Sequence, residues 1–595
     1  MLNIVIVCGG TGSIALQHGF DSLYGLSNYN MDIVINAYDN GKSTGVCRKV
    51  FDHSILGPSD LRKNQLTLFE IMYKKELQDK ESYESKLLEL FELRFSAEDY
   101  QDYYTQACRY IREAVCLSSA AKDRMQRWID HFFYEDPDRH QIREKVINTE
   151  FTDFSLSNIF YASSASLNGG SLSLAGKELS EILGIRDKVH LISDVDLYLK
   201  AETESGYRID DEADIVAWDN PQDRITRVIL LDREGKEYTP EVDEKNSHSV
   251  KSIFEKADLI IFSSGTQWSS LIPTYMHKQF RELISRSKAR KYLIMNNVED
   301  HDMYGITADQ MLDIIERYLD LKDITVVVND NAEEAMRNVF RKIPVIHGRL
   351  SKPGDRKHIP EEIAKIIMKD YFELNQRYIL VSDLDGTLWE EQGNDHEKEI
   401  GKKNLEKFNG IILSGNTFEH VSRITEKYYH GKEKIYCDYG NTYFYAENPE
   451  DRHRLSEEFL IEDELKDLLE TYPEFQGKAN LRGGVILTLK PLTDRKEKLR
   501  LINALMSEFQ NKYEGRIAGR TSIDIVRKNF SKEASLNLIL ERDNIDRRKV
   551  LYIGNELNEG NEVCIRNTGV KALQVNDVFE MYIFLKTYNR IFNLE

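Results

Sequence analysis

Proline is scarce in this 595-residue chain, at 11 residues, and neither an internal repeat nor a low-complexity segment interrupts it. With 41% hydrophobic and 30% charged residues the composition is that of an ordered globular protein, which excludes disorder as its main character. Cysteine is scarcer still. Cys8, Cys47, Cys108, Cys116, Cys437 and Cys564 are scattered without a C-x-x-C pair, which argues against zinc, an iron-sulfur cluster or a disulfide framework and fits a reducing cytoplasm. A basic excess is also missing. The 80 Lys and Arg against 100 Asp and Glu leave a charge of -20, opposite to the balance of a protein that neutralises nucleic-acid phosphates. Long hydrophobic runs are absent too: Met1 to Val7 reaches Gly9 within a few residues and lacks a basic start, too short for a signal peptide or a membrane span. The expectation is a soluble, cytoplasmic protein with no nucleic-acid and no membrane partner. The length allows up to about four domains of roughly 150 residues, or two to three α/β domains of about 200 to 250.

What is present alternates strands and helices. Asn3 to Val7 is a β-branched run that ends in Cys8-Gly9-Gly10-Thr11-Gly12-Ser13, after which Ile14 to Phe20 takes helical spacing. A second run, Met31 to Ala37, leads into Tyr38-Asp39-Asn40-Gly41-Lys42-Ser43-Thr44-Gly45, and further strands are expected at Lys188 to Ile192, Leu259 to Phe262, Lys291 to Met295 and Ile324 to Val328. Such alternation predicts an α/β fold with a mostly parallel, doubly wound sheet. Charged and aromatic residues at helical periodicity, Leu87-Leu88-Leu90-Phe91-Phe95 among them, predict a helical insertion over about residues 65–150 that forms a wall or a lid. A helix over Glu361 to Lys369 precedes a second sheet that begins at Tyr378, so the domains run over about 1–373 and 377–595. Later strands are expected at Gly410 to Leu413, Val485 to Leu489 and Val550 to Ile553.

Asp383-Leu384-Asp385-Gly386-Thr387 directly follows the hydrophobic strand of the second domain. Phosphoryl transfer needs a nucleophile, a proton donor for the leaving alcohol and a cation, and two carboxylates two residues apart at a strand's end supply the first two. The pattern resembles the haloacid dehalogenase superfamily, in which the first Asp is phosphorylated while the second acts as acid and base and its carbonyl binds Mg2+. The resemblance gives these roles to Asp383 and Asp385, phosphate binding to Ser414 at a strand's end, and phosphate neutralisation to Lys532 before a helix. The fourth motif departs. Where phosphatases of this branch read G-D-x-x-N-D, this chain reads Gly554-Asn555-Glu556-Leu557-Asn558-Glu559, so Asn555 and Glu559 are the remaining metal candidates, and the uncharged Asn555 predicts weakened Mg2+ binding. A structural or ligand-sensing module is the alternative. The resemblance also implies an inserted α+β cap of the Cof and sucrose-phosphatase type over about residues 440–520, with no readable substrate code.

In the first domain, Gly9-Gly10-Thr11-Gly12-Ser13 between strand and helix can bring backbone N–H groups and a helix N-terminus against a phosphate. Gly41-Lys42-Ser43-Thr44 looks like the end of a P-loop, but Asn36 stands where its first glycine belongs, so an ATPase is rejected. The set as a whole resembles the CofD and YvcK family: Asp39 to Gly45 resembles its D-D-G-G-S-S-G, Gly57 to Asn64 its P-P-G-D-I-R-N, Leu90 to Phe95 its L-F-x-x-R-F, and Ser157-Asn158 its Gly-Asn. Ala257 to Pro273 resembles A-D-L-I-V-x-G-P-G-S-x-Y-T-S-I-x-P, with Gly305-Ile306-Thr307-Ala308 and Asn329 following in family order. The family includes a Mg2+-dependent transferase that moves a phosphoryl-linked hydroxy acid from a nucleoside-diphosphate donor, and regulators that bind nucleotide sugars. It implies Asp39 and Asp60 as metal candidates, Arg62 as a pyrophosphate clamp, and Ser43, Asn158 and Ser264-Gly265-Thr266 as further nucleotide or phosphate contacts. Asn40 replaces the family's second Asp, and a His expected before Asn158 is absent. Taken singly, Arg62 also reads as a surface ion-pair residue and Asp39 as a turn residue. Trp268 and Trp389 read as packing residues, and His18 and His53 receive no role.

The expected architecture is two doubly wound, Rossmann-like domains, the second carrying the cap. Three functions follow: a bifunctional enzyme acting on a nucleoside-diphosphate-linked small molecule and a phosphorylated metabolite, a nucleotide- or nucleotide-sugar-binding regulator of an attached phosphatase, or an inactive metabolite sensor. A homodimer stays open.

Overall fold

The computed structural model describes residues 1–96, 99–134, 154–242, 250–298, 301–330, 343–352, 355–490, 494–509, 511–518, 522–558 and 562–594. They form two compact units, Leu2–Tyr371 and, with Met1, Phe372–Glu595. Among the described residues no helix is long and apolar enough to cross a membrane.

The first unit is built on seven parallel strands: β1 (Asn3–Val7), β2 (Asn30–Ile35), β3 (Val189–Leu191), β4 (Leu259–Phe262), β5 (Arg290–Ile294), β6 (Ile324–Asn329) and β7 (Val345–Gly348). Their order is β7-β6-β5-β4-β1-β2-β3. Strands of such a sheet are covered on both faces and therefore read as continuous apolar runs; Ile4 to Val7 and Ile33 to Ile35 are at most 1% exposed. The chain runs from β1 outward to β2 and β3 and then returns on the other side at β4. Strand order thus reverses between β1 and β4, the kind of point at whose carboxyl ends ligands bind.

Three helices frame that point: α1 (Ile14–Tyr24), α2 (Lys42–Val50) and α3 (Ser59–Met72). The helical insertion begins after Met72 rather than near 65, because Leu66, Leu68 and Phe69 continue the buried stripe of α3. It comprises α4 (Tyr83–Glu92), α5 (Tyr100–Glu113) and α6 (Ser119–Phe133), and α4 and α6 pack on α7 (Leu156–Leu167) as a wall. Residues 135–150 of the expected insertion lie outside the described residues. Unforeseen was a small antiparallel sheet, Tyr198–Thr203 with Arg208–Ile209 and Ile225–Leu231, which carries the short helix Glu212–Val216.

The second unit contains β8 (Ile379–Ser382), β9 (Ile411–Leu413), β10 (Ile435–Cys437), β11 (Thr442–Tyr445), β12 (Asn448–Arg454), the cap strands β13 (Ala479–Arg482), β14 (Ile486–Leu489), β15 (Tyr513–Ala518) and β16 (Ser522–Arg527), then β17 (Val550–Gly554) and β18 (Lys571–Gln574). The main sheet runs β12-β11-β10-β9-β8-β17-β18, parallel except for the β11–β12 hairpin at one edge. The cap is an antiparallel sheet in the order β13-β14-β16-β15 under the helices Asp463–Glu470 and Arg495–Leu505. Its limits differ from the expected 440 and 520. Residues 442–454 pair with β10 and belong to the main sheet, whereas β16 carries the cap on to Arg527.

Candidate functional site

In the second unit the register of β8 with β17 sets Ser382 beside Ile553, so the strand ends bring Asp383 next to Gly554 and Asn555. Gly386 has φ 74°, and a Cβ there would meet the Asn555 amide at 2.3 Å, so only glycine lets the two loops close. Lys532 opens the helix Lys532–Arg542 and places Nζ 2.8 Å from Asp383 Oδ1 and 3.0 Å from Glu562 Oε1. Glu562 is fully buried; it also accepts from the Tyr552 hydroxyl and, at 3.0 Å, from the Glu556 N–H. Burial pushes the Asp383 carboxyl up to about 7, with the charges of Glu562 and Asp385 adding to the rise and Lys532 opposing it. Lys532 itself stays charged: burial works against its ammonium, but Asp383 and Glu562 outweigh it.

Both oxygens of Asp385 are fixed. Asn416 Nδ2 donates to Oδ2 at 2.8 Å and His420 Nε2 lies 2.8 Å from Oδ1, a contact that raises the His420 pKa. Ser414, expected on the phosphate, is fully buried, and its Oγ accepts from the Asn416 N–H at 3.0 Å; Gly415 and Asn416 form the cleft wall instead. Tyr439 reaches this wall from a left-handed backbone, φ 55°, rare for a bulky residue. The cleft, about 270 Å³, is lined from the main sheet by Asp383, Asp385, Lys532 and Asn555, and from the cap by Arg482, Thr488, Lys490, Ser522 and Asp524. Sequence reasoning passed over Asn416, His420, Glu562 and every cap residue. Glu559 lies outside the described residues. The Asp383 carboxylate and the Asn555 amide offer oxygen to a hard cation in this cleft, and two carboxylates, Asp383 and Glu562, share the Lys532 ammonium; with no group of three or more His, Cys, Asp or Glu side chains among the described residues arranged to hold a metal ion, such a cation would need further oxygen from the main chain, phosphate or water.

In the first unit the glycine turn is cramped by what it touches. A Cβ on Gly10 would meet Asp60 Oδ1 at 2.2 Å, and one on Gly12 would meet the Ser264 carbonyl at 1.8 Å. Asn64 straps the turn to α3, accepting from Ser13 Oγ at 2.6 Å and donating to the Gly9 carbonyl at 3.0 Å, so the Ser13 hydroxyl is engaged in holding the turn. Asp60 lies against Gly10 with Lys63 3.5 Å away; burial pushes its carboxyl up to about 6, Lys63 opposing and Asp39 adding. Asp39 closes a turn by accepting from the Gly41 N–H at 2.8 Å. Beside it stands Glu212, unforeseen, whose carboxyl burial and the Asp39 charge push up to about 9. Asn158 Nδ2 donates to Ser43 Oγ at 3.0 Å, bringing those two expected residues together. On the other flank the Gly265 N–H donates to Asn296 Oδ1 at 2.8 Å and Thr266 Oγ1 lies 2.8 Å from Ser270 Oγ.

Arg62 is placed differently. It is 5% exposed, which removes the surface ion-pair reading, and its Nη1 donates to Ser155 Oγ at 2.6 Å and Ser157 Oγ at 3.3 Å. It lines a separate cleft of about 410 Å³ with Thr11, Lys63 and Arg94. Among the described residues no group of three or more His, Cys, Asp or Glu side chains is arranged to hold a metal ion, so a cation at Asp39 and Asp60 needs further oxygen from phosphate or water. Trp268 and Trp389 are buried in packing.

These features define a class: a doubly wound α/β unit with a glycine turn after its first strand, joined to a second, capped α/β unit of the HAD type. Residues 4–366 match the family model described as 2-phospho-L-lactate transferase CofD, and the chain belongs to that family. Residues 416–559 match the model described as haloacid dehalogenase-like hydrolase. A relative from Aquifex aeolicus is 22% identical over 393 residues, 62% of this chain and 96% of its own. The protein named gluconeogenesis factor in Bacillus subtilis is 27% identical over 162 residues, 27% of this chain and 46% of its own. A crystal structure of a protein from Bacillus halodurans is 20% identical, spans 62% of this chain and 100% of its own, and has a TM-score of 0.43. For the sucrose-phosphatase of Synechocystis the values are 15%, 34%, 84% and 0.27.

Proposed function

We propose that the chain is a bifunctional cytoplasmic enzyme. The second unit hydrolyses a phosphate monoester, and the first transfers a phosphoryl-linked group from a nucleoside-diphosphate-activated donor. The observation that carries this reading is the 2.8 Å contact of Lys532 with Asp383, in a cleft shared with Asp385. Asp383 attacks phosphorus as the bond to the leaving alcohol breaks; that alcohol takes the proton shared by Asp385 and His420, and the water that then cleaves the aspartyl phosphate returns one to the same pair. Lys532 offsets the phosphate charge. Mg2+, held by Asp383, the Asp385 carbonyl and Asn555, would supply the remaining charge neutralisation.

The test is a screen of the whole protein with Mg2+ against phosphorylated metabolites and nucleoside-diphosphate conjugates, reading free phosphate and free nucleotide separately. Asp383→Asn keeps the size of the side chain and removes the attacking charge, so phosphate release should fall by a factor of roughly a thousand or more. Undiminished release would overturn the assignment. A second reading, in which the first unit binds a nucleotide or nucleotide sugar and regulates without transfer, draws on Arg62, whose guanidinium is engaged by Ser155 and Ser157. Tight binding without nucleotide release would favour it.

A further inference from the structure

The cap presents a charge pattern that the phosphate chemistry leaves unused. Side chains alternate along its strands: Leu481, Leu487, Leu489, Ile523 and Ile525 enter the cap's own core, which turns Arg482, Thr488, Lys490 and Asp524 to the other face, over the cleft. Asp524 is 3% exposed and both its oxygens are taken, Oδ2 by Arg482 Nη2 at 3.0 Å and Oδ1 by Thr488 Oγ1 at 2.6 Å. It therefore acts as a strut that orients these two side chains rather than as an acceptor for substrate hydroxyls. Arg482 has five N–H donors and no acceptor, and its Nε is buried without a partner. Lys490 has no ion-pair partner among the described residues. On the cap side of the cleft two cations thus stand against one carboxylate, while Asp383, Asp385 and Glu556 line the opposite side with Lys532. A substrate offering only hydroxyls would cover Lys490 without pairing its charge, whereas an anion would form charge-assisted hydrogen bonds there.

We infer that the substrate of the second unit is a phosphomonoester whose leaving alcohol carries a second anionic group, a carboxylate or another phosphate, held by Lys490 and Arg482 while the reacting phosphate lies at Asp383. This rests on the phosphatase reading above. The experiment uses the full chain with Mg2+ and measures kcat/KM for matched pairs: 3-phosphoglycerate against glycerol 3-phosphate, and fructose 1,6-bisphosphate against fructose 6-phosphate, with p-nitrophenyl phosphate as the general phosphatase probe. The anionic member of at least one pair should be preferred by about tenfold or more, and which pair responds separates a carboxylate from a phosphate. Lys490→Gln should raise KM for the preferred member and bring the ratio to within about threefold of unity, while Lys490→Arg should retain most of the preference. Hydrolysis of p-nitrophenyl phosphate with no preference in either pair overturns the inference and leaves the phosphatase reading standing. So does a preference that survives Lys490→Gln. If p-nitrophenyl phosphate and all four metabolites are inert, the phosphatase reading fails and the inference fails with it.

Discussion

Lys532 Nζ stands 2.8 Å from Asp383 Oδ1, and the same ammonium group holds Glu562 at 3.0 Å, so one largely buried cation serves two carboxylates at the floor of the cleft. Removing one partner of such a contact leaves the others buried and uncompensated, at a cost of ~3–5 kcal/mol. Lys532→Met should lower the stability of the second unit by about that amount, read from its urea unfolding midpoint. Adding Asp383→Asn should recover part of the loss, since the pair acts as a unit. A change in Lys532→Met below ~1 kcal/mol would place the contact among solvent-screened ion pairs.

Cation binding gives a second prediction. The Asp383 carboxyl is pushed up to about 7, so below that pH it carries a proton that a cation must displace. Calorimetry with Mg2+ in buffers of different ionisation enthalpy should show close to one proton released at about pH 6 and very little at about pH 8.5, with affinity weakening on the acid side. Asn555→Asp adds a charged oxygen donor and should lower the Mg2+ concentration for half-saturation. Proton release that does not vary with pH would mean that the cation binds elsewhere.

Much of this site was legible because its residues sit at strand ends. Asp383-Leu384-Asp385 follows an apolar run, and Gly554 ends another, so two short motifs already place the two loops that the β8–β17 pairing joins. What escaped depends on packing over distance. His420 and Asn416 reach Asp385 only through the turn after β9, and no spacing near Asp385 announces them. Glu562 closes the third of three Asn-Glu pairs, after Asn555-Glu556 and Asn558-Glu559, and sequence alone gave no reason to prefer it; the contact with Lys532 does. The cap code was written in period-two alternation from Leu481 to Lys490 and from Ser522 to Ile525, but which face looks at the cleft is set by the helices that cover the other. In the first unit Glu212 opens a five-residue helix between the short strands of a small sheet, too brief for a periodic pattern, so its approach to Asp39 had no local signal.

One carboxylate of the first unit should make an identifiable, acid-sensitive contribution to its stability. Asp32 in β2 lies 2.9 Å from His190 Nε2 and 3.2 Å from Lys188 Nζ. Burial pushes its carboxyl up, but the His190 hydrogen bond and the Lys188 charge outweigh that, and the net effect is a lowered pKa. A carboxylate depressed in the folded state contributes stability that is complete above its unfolded value of about 3.9 and is lost as pH falls through the folded value. Asp60 and Glu212, whose carboxyls are raised, gain stability over the same acid range, so the quantity to read is a difference: the urea midpoint of the wild type relative to Asp32→Asn should hold steady from about pH 6 to about pH 4 and shrink below that. Parallel acid limbs would assign the loss to other carboxylates.

The glycine turn and Arg62 make separable predictions about nucleotide binding, because the structure puts them on different neighbours. A methyl group on Gly12 has no room beside the Ser264 carbonyl, so Gly12→Ala must push the turn away from the loop after β4 and open the cradle. Arg62 shares its own cleft with Thr11 and is held by Ser155 and Ser157 rather than by the turn, so its loss leaves the contacts of the turn in place. Calorimetric titration of GDP, UDP and a UDP-sugar with Mg2+ should show binding to the wild type and to Asp383→Asn alike, since Asp383 belongs to the other unit. Arg62→Ala should weaken that binding by at least about 1.5 kcal/mol, or roughly tenfold, and Gly12→Ala should weaken it further. Binding that is lost in Asp383→Asn but kept in Gly12→Ala would move the nucleotide site to the second unit and reduce the first unit's likeness to its family to one of fold.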